Sequence, residues 1–136
     1  ITPIELPAAS YLVLKPPVAI PTQAIFSSPL LSRDTALTTI AVFLADKHCF
    51  DKNDLQAAAA AYSTEVSQAL ELLGQHGGAG RMSGSGSAVF AEAGNHSGTE
   101  DGSADPRQVL ATLPVGWIGR LCCSLEAHPL VEWAAD

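Results

Sequence analysis

Charge is scarce in this sequence, and what there is leans to one sign. Charged side chains make up 15% of the 136 residues, and seven Lys and Arg stand against 14 Asp and Glu, a formal net charge of −7. An acidic balance of that size repels a phosphate backbone, so the composition speaks against nucleic acid as a partner. Long apolar runs are missing too. None approaches the roughly 18 residues a bilayer-crossing helix needs, and the opening ITPIELPAAS has neither a basic n-region nor an apolar h-region. The expectation is a soluble, cytoplasmic chain with no membrane partner. Cysteine is limited to Cys49, Cys122 and Cys123, with no CxxC or Cys/His zinc spacing, so reduced, buried thiols are expected. His48, His76, His96 and His128 are scattered and none stands at HExxH spacing, so no metal site is expected. Glu65, Glu71, Glu92, Glu100, Asp101 and Asp105 form no local acid and base pair.

Hydrophobic residues are plentiful, at 47%, enough for one domain of this length to close a core of its own. Tyr11-Leu12-Val13-Leu14 suits a strand buried on both faces, stopped by Pro16 and Pro17, which cannot donate to a sheet ladder. VAIPTQAIF alternates weakly around Pro21 and reads as an irregular connection. Leu37, Ile40, Ala41 and Leu44 fall at helical spacing behind Asp34, a candidate N-cap, predicting a helix of about ten residues. After Asp51, Leu55, Tyr62, Val66, Ala69, Leu70 and Leu73 trace one stripe of a longer helix with Gly74 as C-cap. The alanines from Ala57 to Ala61 suit close packing there.

RMSGSGSAVFAEAG then holds a tight turn at Gly84 and Gly86 opening onto a strand from Ala88 to Ala91, with a short extra strand near Arg81. Asn95 to Ala104 reads as a mobile surface loop, whose Asn95-His96-Ser97 sequon would matter only in a secreted chain. Asp105-Pro106 opens a short helix through Val109 and Leu110, and Trp117 to Leu125 is a last strand. No internal repeat or linker divides the chain, and the order of elements predicts an α+β sandwich of ferredoxin-like type, its helices packed on one mainly antiparallel sheet.

The strongest chemical signal is Ser83-Gly84-Ser85-Gly86-Ser87. Two glycines let the backbone turn tightly and approach a ligand, while amides and hydroxyls can donate to phosphate oxygens. An ordinary serine and glycine turn has the same composition. The segment is neither a P-loop, because no Gly-Lys-Ser/Thr follows, nor a dinucleotide fingerprint, because no GxGxxG is completed. No nucleophile elbow and no catalytic lysine or carboxylate accompanies it.

RMSGSGSAVFAEA resembles the third motif of the GHMP superfamily of small-metabolite kinases. With ITPIELP, YLVLKP, VAIPTQAIF, LLSRDT and LEAHPL in their order, nearly the whole chain resembles the C-terminal half of the 4-diphosphocytidyl-2-C-methyl-D-erythritol kinases within it. The resemblance implies that residues 1–136 are one domain, the substrate-side half of a two-domain kinase. Its N-terminal half, absent from this sequence, carries the ATP loop, a catalytic aspartate and a lysine. The reaction implied is transfer of the γ-phosphoryl group of ATP, with Mg, to the C2 hydroxyl of diphosphocytidyl-methylerythritol in non-mevalonate isoprenoid synthesis. Thr22 and Phe26 match residues lining the cytidine-bearing pocket. Arg81, Gly84, Ser85 and Gly86 match the third motif at the phosphate end of the cleft. The resemblance assigns no catalytic residue and no metal ligand to this chain, which is expected to be inactive alone. Another kinase of the superfamily, and a ferredoxin-like ligand-binding or regulatory module without enzymatic activity, are the alternative readings. GNHSGTEDGSADP departs from the family pattern.

Overall fold

The computed structural model describes residues 7–45, 52–75, 79–93 and 105–125. Among these, β1 (Ser10–Lys15), β2 (Arg81–Met82), β3 (Val89–Ala93) and β4 (Ile118–Cys123) form one sheet in the order β2-β3-β1-β4. Every neighbouring pair is antiparallel. Helices α1 (Thr22–Phe26), α2 (Ile40–Ala45), α3 (Gln56–Tyr62) and α4 (Thr64–Gln75) fall between β1 and β2, and α5 (Pro106–Ala111) joins β3 to β4. With β1 and β3 central, this is the ferredoxin-like α+β arrangement expected.

The sheet sorts its side chains by period two. Leu12 stands opposite Ala91 and Leu121, and Leu14 opposite Val89 and Gly119. Leu12, Leu14, Met82, Val89 and Ala91 are buried on the face that meets Ala58, Ala59, Val66, Ala69 and Leu73 of α3 and α4. Each fully buried Leu or Val there contributes about 1.5–3 kcal/mol relative to exposure. Tyr11 and Val13 point the other way and stay half-exposed, so β1 is buried on one face rather than on both. Gly119 makes room for α5, because a Cβ there would run into Leu110 and Leu113. Asp105 and Pro106 open α5 as expected, the Asp105 carboxylate accepting from the Arg107 amide at 2.9 Å.

Four local expectations are corrected. VAIPTQAIF is not wholly irregular: Thr22–Phe26 forms one helical turn behind Pro21, whose φ of −65° starts it, and buries Ile25. The helix behind Asp34 begins only at Ile40, and Asp34 accepts from the Ser32 hydroxyl instead of capping it. None of the residues of α2 is buried, so its periodic pattern finds no apolar surface among the described residues to drive more turns. The long stripe is two helices, broken at Ser63, where the backbone is extended (φ −137°, ψ 121°). There the Ser63 hydroxyl donates to Glu65 at 2.8 Å, an alternative to helix continuation, and Tyr62 is exposed rather than on the stripe. Gly74 lies inside α4 rather than beyond its end.

Cys122 and Cys123 are free and exposed, not buried, because β4 is an edge strand. Cys49, the four histidines and the Asn95 to Ala104 segment lie outside the described residues. No helix among the described residues is long and apolar enough to cross a membrane.

Candidate functional site

The turn from β2 to β3 is built by its own backbone first. The Ser83 amide donates to Ala88 O at 2.9 Å and the Gly86 amide to Ser83 O at 3.1 Å. Gly84 and Gly86 carry φ of +56° and +91°, a region open to glycine at little cost. At Gly86 the approach is close as well: a Cβ would lie 2.8 Å from Met82 Sδ and 3.0 Å from Ile20 Cδ1.

Two side-chain systems hold this turn. The buried Ser87 hydroxyl donates to Val18 O at 2.8 Å and to Pro16 O at 3.3 Å, fastening the turn to the segment that leaves β1. In the second, Asn53 Nδ2 donates to Met82 O at 2.7 Å and to Gly84 O at 2.8 Å, while Gln56 Oε1 accepts from the Met82 amide at 2.8 Å. Asn53 Oδ1 accepts from the Leu55 amide at 2.9 Å, so the same side chain supports the entry to α3.

Beside the turn lies an open cleft of about 510 Å³, lined by Lys52 to Leu55, Arg81, Met82, Ser83, Gly84 and Phe90. Its electrostatics are local. Lys52 Nζ lies 3.1 Å from Asp54 Oδ1 and donates to Thr35 Oγ1 at 3.4 Å. Hydrogen bonding from Thr35, then from Lys52, holds the Asp54 carboxyl below its ordinary value. The Arg81 guanidinium sits 5.1 Å above the centre of the Phe90 ring, and Tyr11 meets that ring edge-on at 6.0 Å. The cleft thus places the Lys52 and Asp54 pair, Arg81 on its ring and the glycine turn side by side, a polar lining suited to a polar ligand. Among the described residues no cluster of three His, Cys, Asp or Glu side chains is placed to hold a metal.

Of the residues singled out in the sequence, Arg81 and Gly84 line this cleft, whereas Ser85 and Gly86 belong to the turn without lining it. Thr22 and Phe26 lie elsewhere, four residues apart on one face of α1, both exposed. The Arg33 guanidinium donates to the Phe26 carbonyl. Sequence reasoning missed Lys52, Asn53, Asp54 and Gln56. Asn53-Asp54 ahead of a helix reads as a capping signal, and nothing local announces that Asn53 bonds to residues 29 and 31 positions away.

Residues 35–112 match the family model described as GHMP kinases C terminal, more than half of the chain. The chain belongs to the GHMP kinase C-terminal family. Its relatives include the protein of Methylibium petroleiphilum named 4-diphosphocytidyl-2-C-methyl-D-erythritol kinase, 54% identical over 98% of this chain and 45% of the relative. Proteins of the same name from Albidiferax ferrireducens and Cupriavidus necator are each 43% identical over 98% of this chain, and over 43% and 44% of their own lengths. This GHMP kinase domain therefore spans less than half the length of these relatives.

Proposed function

We propose that this chain is the C-terminal, substrate-side half of a cytoplasmic two-domain kinase that uses ATP and Mg to phosphorylate the C2 hydroxyl of 4-diphosphocytidyl-2-C-methyl-D-erythritol. The observation that carries the reading is 54% identity, over nearly the entire chain, to a protein bearing that kinase's name. An N-terminal domain as partner is supported by the length of the relatives, and by the apolar side chains left exposed at Leu30, Leu37, Ile40, Val42 and Leu44. Exposed apolar side chains of this kind suit an interface between domains.

In this reading, Thr22 and Phe26 present a hydroxyl and a ring face to the cytidine-bearing substrate, and Arg81, Gly84, Ser85 and Gly86 form the wall at its phosphate end. Phosphoryl transfer demands mostly positioning and charge stabilisation. The acceptor oxygen bonds to the γ-phosphorus, the bond to the β-phosphate oxygen breaks, and the acceptor proton passes to a carboxylate of the N-terminal half. No described side chain near the turn is assigned that proton. Mg, when bound with ATP, would neutralise charge on the transferring phosphates, and no ligand to it is proposed among the described residues.

The test uses the full-length protein that carries this segment, supplied with ATP, Mg and, in turn, diphosphocytidyl-methylerythritol, galactose, homoserine and mevalonate. ADP release with the cytidyl compound alone is the expected result. Turnover of another acceptor in its place overturns the substrate assignment, and a folded protein that turns over none of them overturns the kinase reading.

A further inference from the structure

Asn53 joins the glycine turn to the start of α3. Its carboxamide gives one group to each side of a junction: Nδ2 donates to Met82 O at 2.7 Å and Gly84 O at 2.8 Å, while Oδ1 accepts from the Leu55 amide at 2.9 Å. Gln56, within the same helical entry, accepts from the Met82 amide at 2.8 Å. Both backbone groups of Met82 and the carbonyl of Gly84 are thereby tied to the start of α3. Gly84 itself has open space where a side chain would stand, so packing does not fix it there.

We infer that Asn53 is a positioning residue: it sets the height of the glycine turn over the cleft and so the placement of the cleft wall during phosphoryl transfer. The inference rests on the kinase reading above. The chemistry requires a donor at Nδ2. A carboxylate in its place turns two attractions into two repulsions against carbonyl oxygens while keeping an acceptor for the Leu55 amide. Gln56 needs only an acceptor, which a glutamate supplies equally well. The two residues therefore answer differently to amide-to-acid exchange, and a merely structural role for the helix entry would not separate them.

The experiment compares Asn53→Asp and Gln56→Glu in the full-length protein by melting temperature, by backbone amide shifts of residues 83 to 87, and by steady-state kinetics with ATP and diphosphocytidyl-methylerythritol. For Asn53→Asp, the turn amides shift and kcat falls about 10- to 100-fold with acceptor KM within about twofold, because a displaced wall misplaces reacting groups without removing a binding contact. For Gln56→Glu, the turn amides and kcat stay near wild type. Unmoved turn amides in Asn53→Asp overturn the clamp, and so does a loss of kcat that only follows the fraction unfolded. Should Asn53→Asp not fold, Asn53→Ser, whose shorter hydroxyl keeps an acceptor for the Leu55 amide but does not reach the two carbonyls, carries the test: the turn amides shift and kcat falls without the added repulsion, and unmoved turn amides there overturn the clamp likewise. A wild-type protein inactive on every acceptor refutes the kinase reading instead, and the amide shifts then still decide the clamp.

Discussion

The hydroxyl of Ser87 donates to the carbonyl of Val18 across 2.8 Å, joining the glycine turn to a segment 69 residues earlier in the chain. It also reaches Pro16 O at 3.3 Å, and both bonds form where Ser87 is shielded from water. Ser87→Ala leaves these carbonyls without that donor, and a destabilisation of about 1–3 kcal/mol is expected. Urea denaturation measures it. A midpoint equal to wild type would mean that water replaces the hydroxyl without cost.

The two glycines of the turn should differ. Gly84 has φ +56° and nothing within 4 Å of a would-be Cβ, whereas Gly86 has φ +91° and meets Met82 and Ile20. Gly84→Ala is expected to cost about 1 kcal/mol and Gly86→Ala about 2–3 kcal/mol, the excess reflecting the less favourable φ and the displacement of Met82. Equal melting temperatures for the two variants would contradict this ordering.

Thr22 and Phe26 are exposed, so their replacement should spare the fold and reveal any role in binding. Thr22→Ala and Phe26→Ala in the full-length protein are each expected to raise acceptor KM by about 5- to 30-fold, equivalent to losing about 1–2 kcal/mol of contact. Melting temperatures should remain within a degree or two of wild type, as for other exposed substitutions. An unchanged KM in both variants removes this face of α1 from the substrate pocket.

Acid should loosen the joint between α3 and α4. The Ser63 hydroxyl first, then backbone hydrogen bonding, holds the Glu65 carboxyl below its ordinary value of 4.5. A depressed folded-state pKa means that the unfolded chain takes up the proton first as pH falls. The contribution of Glu65 is therefore whole above its ordinary value and is lost as pH drops through the lower folded value. Urea midpoints of wild type and Glu65→Gln, compared from pH 7 to pH 3, should differ by a constant amount above about pH 5 and converge below it. A gap that persists to pH 3 would assign the effect to something other than the charge.

Much of this was legible in the sequence wherever the cause is local. The apolar run at Leu12 and Leu14, the Asp105-Pro106 start of α5 and the glycine turn each depend on the residues that form them. The break at Ser63 was hidden because the alanines and the apolar stripe favour a continuous helix, and a single serine with its glutamate overrides them. The helical turn at Thr22–Phe26 was hidden behind Pro21, which reads as a breaker although it also opens helices.

The candidate site divides the same way. By itself the sequence determined the α+β class and the residues of the glycine turn, because hydrophobic period, proline and glycine act over a few residues, and its ordered motifs carried the resemblance to the kinase family. Only the tertiary structure decided which groups hold that turn: Asn53 and Gln56 from the start of α3, and Ser87 reaching back to Val18. Hydrogen bonds between residues tens of positions apart depend on how the sheet and helices close over their shared core. Neither partner carries a local mark of the other.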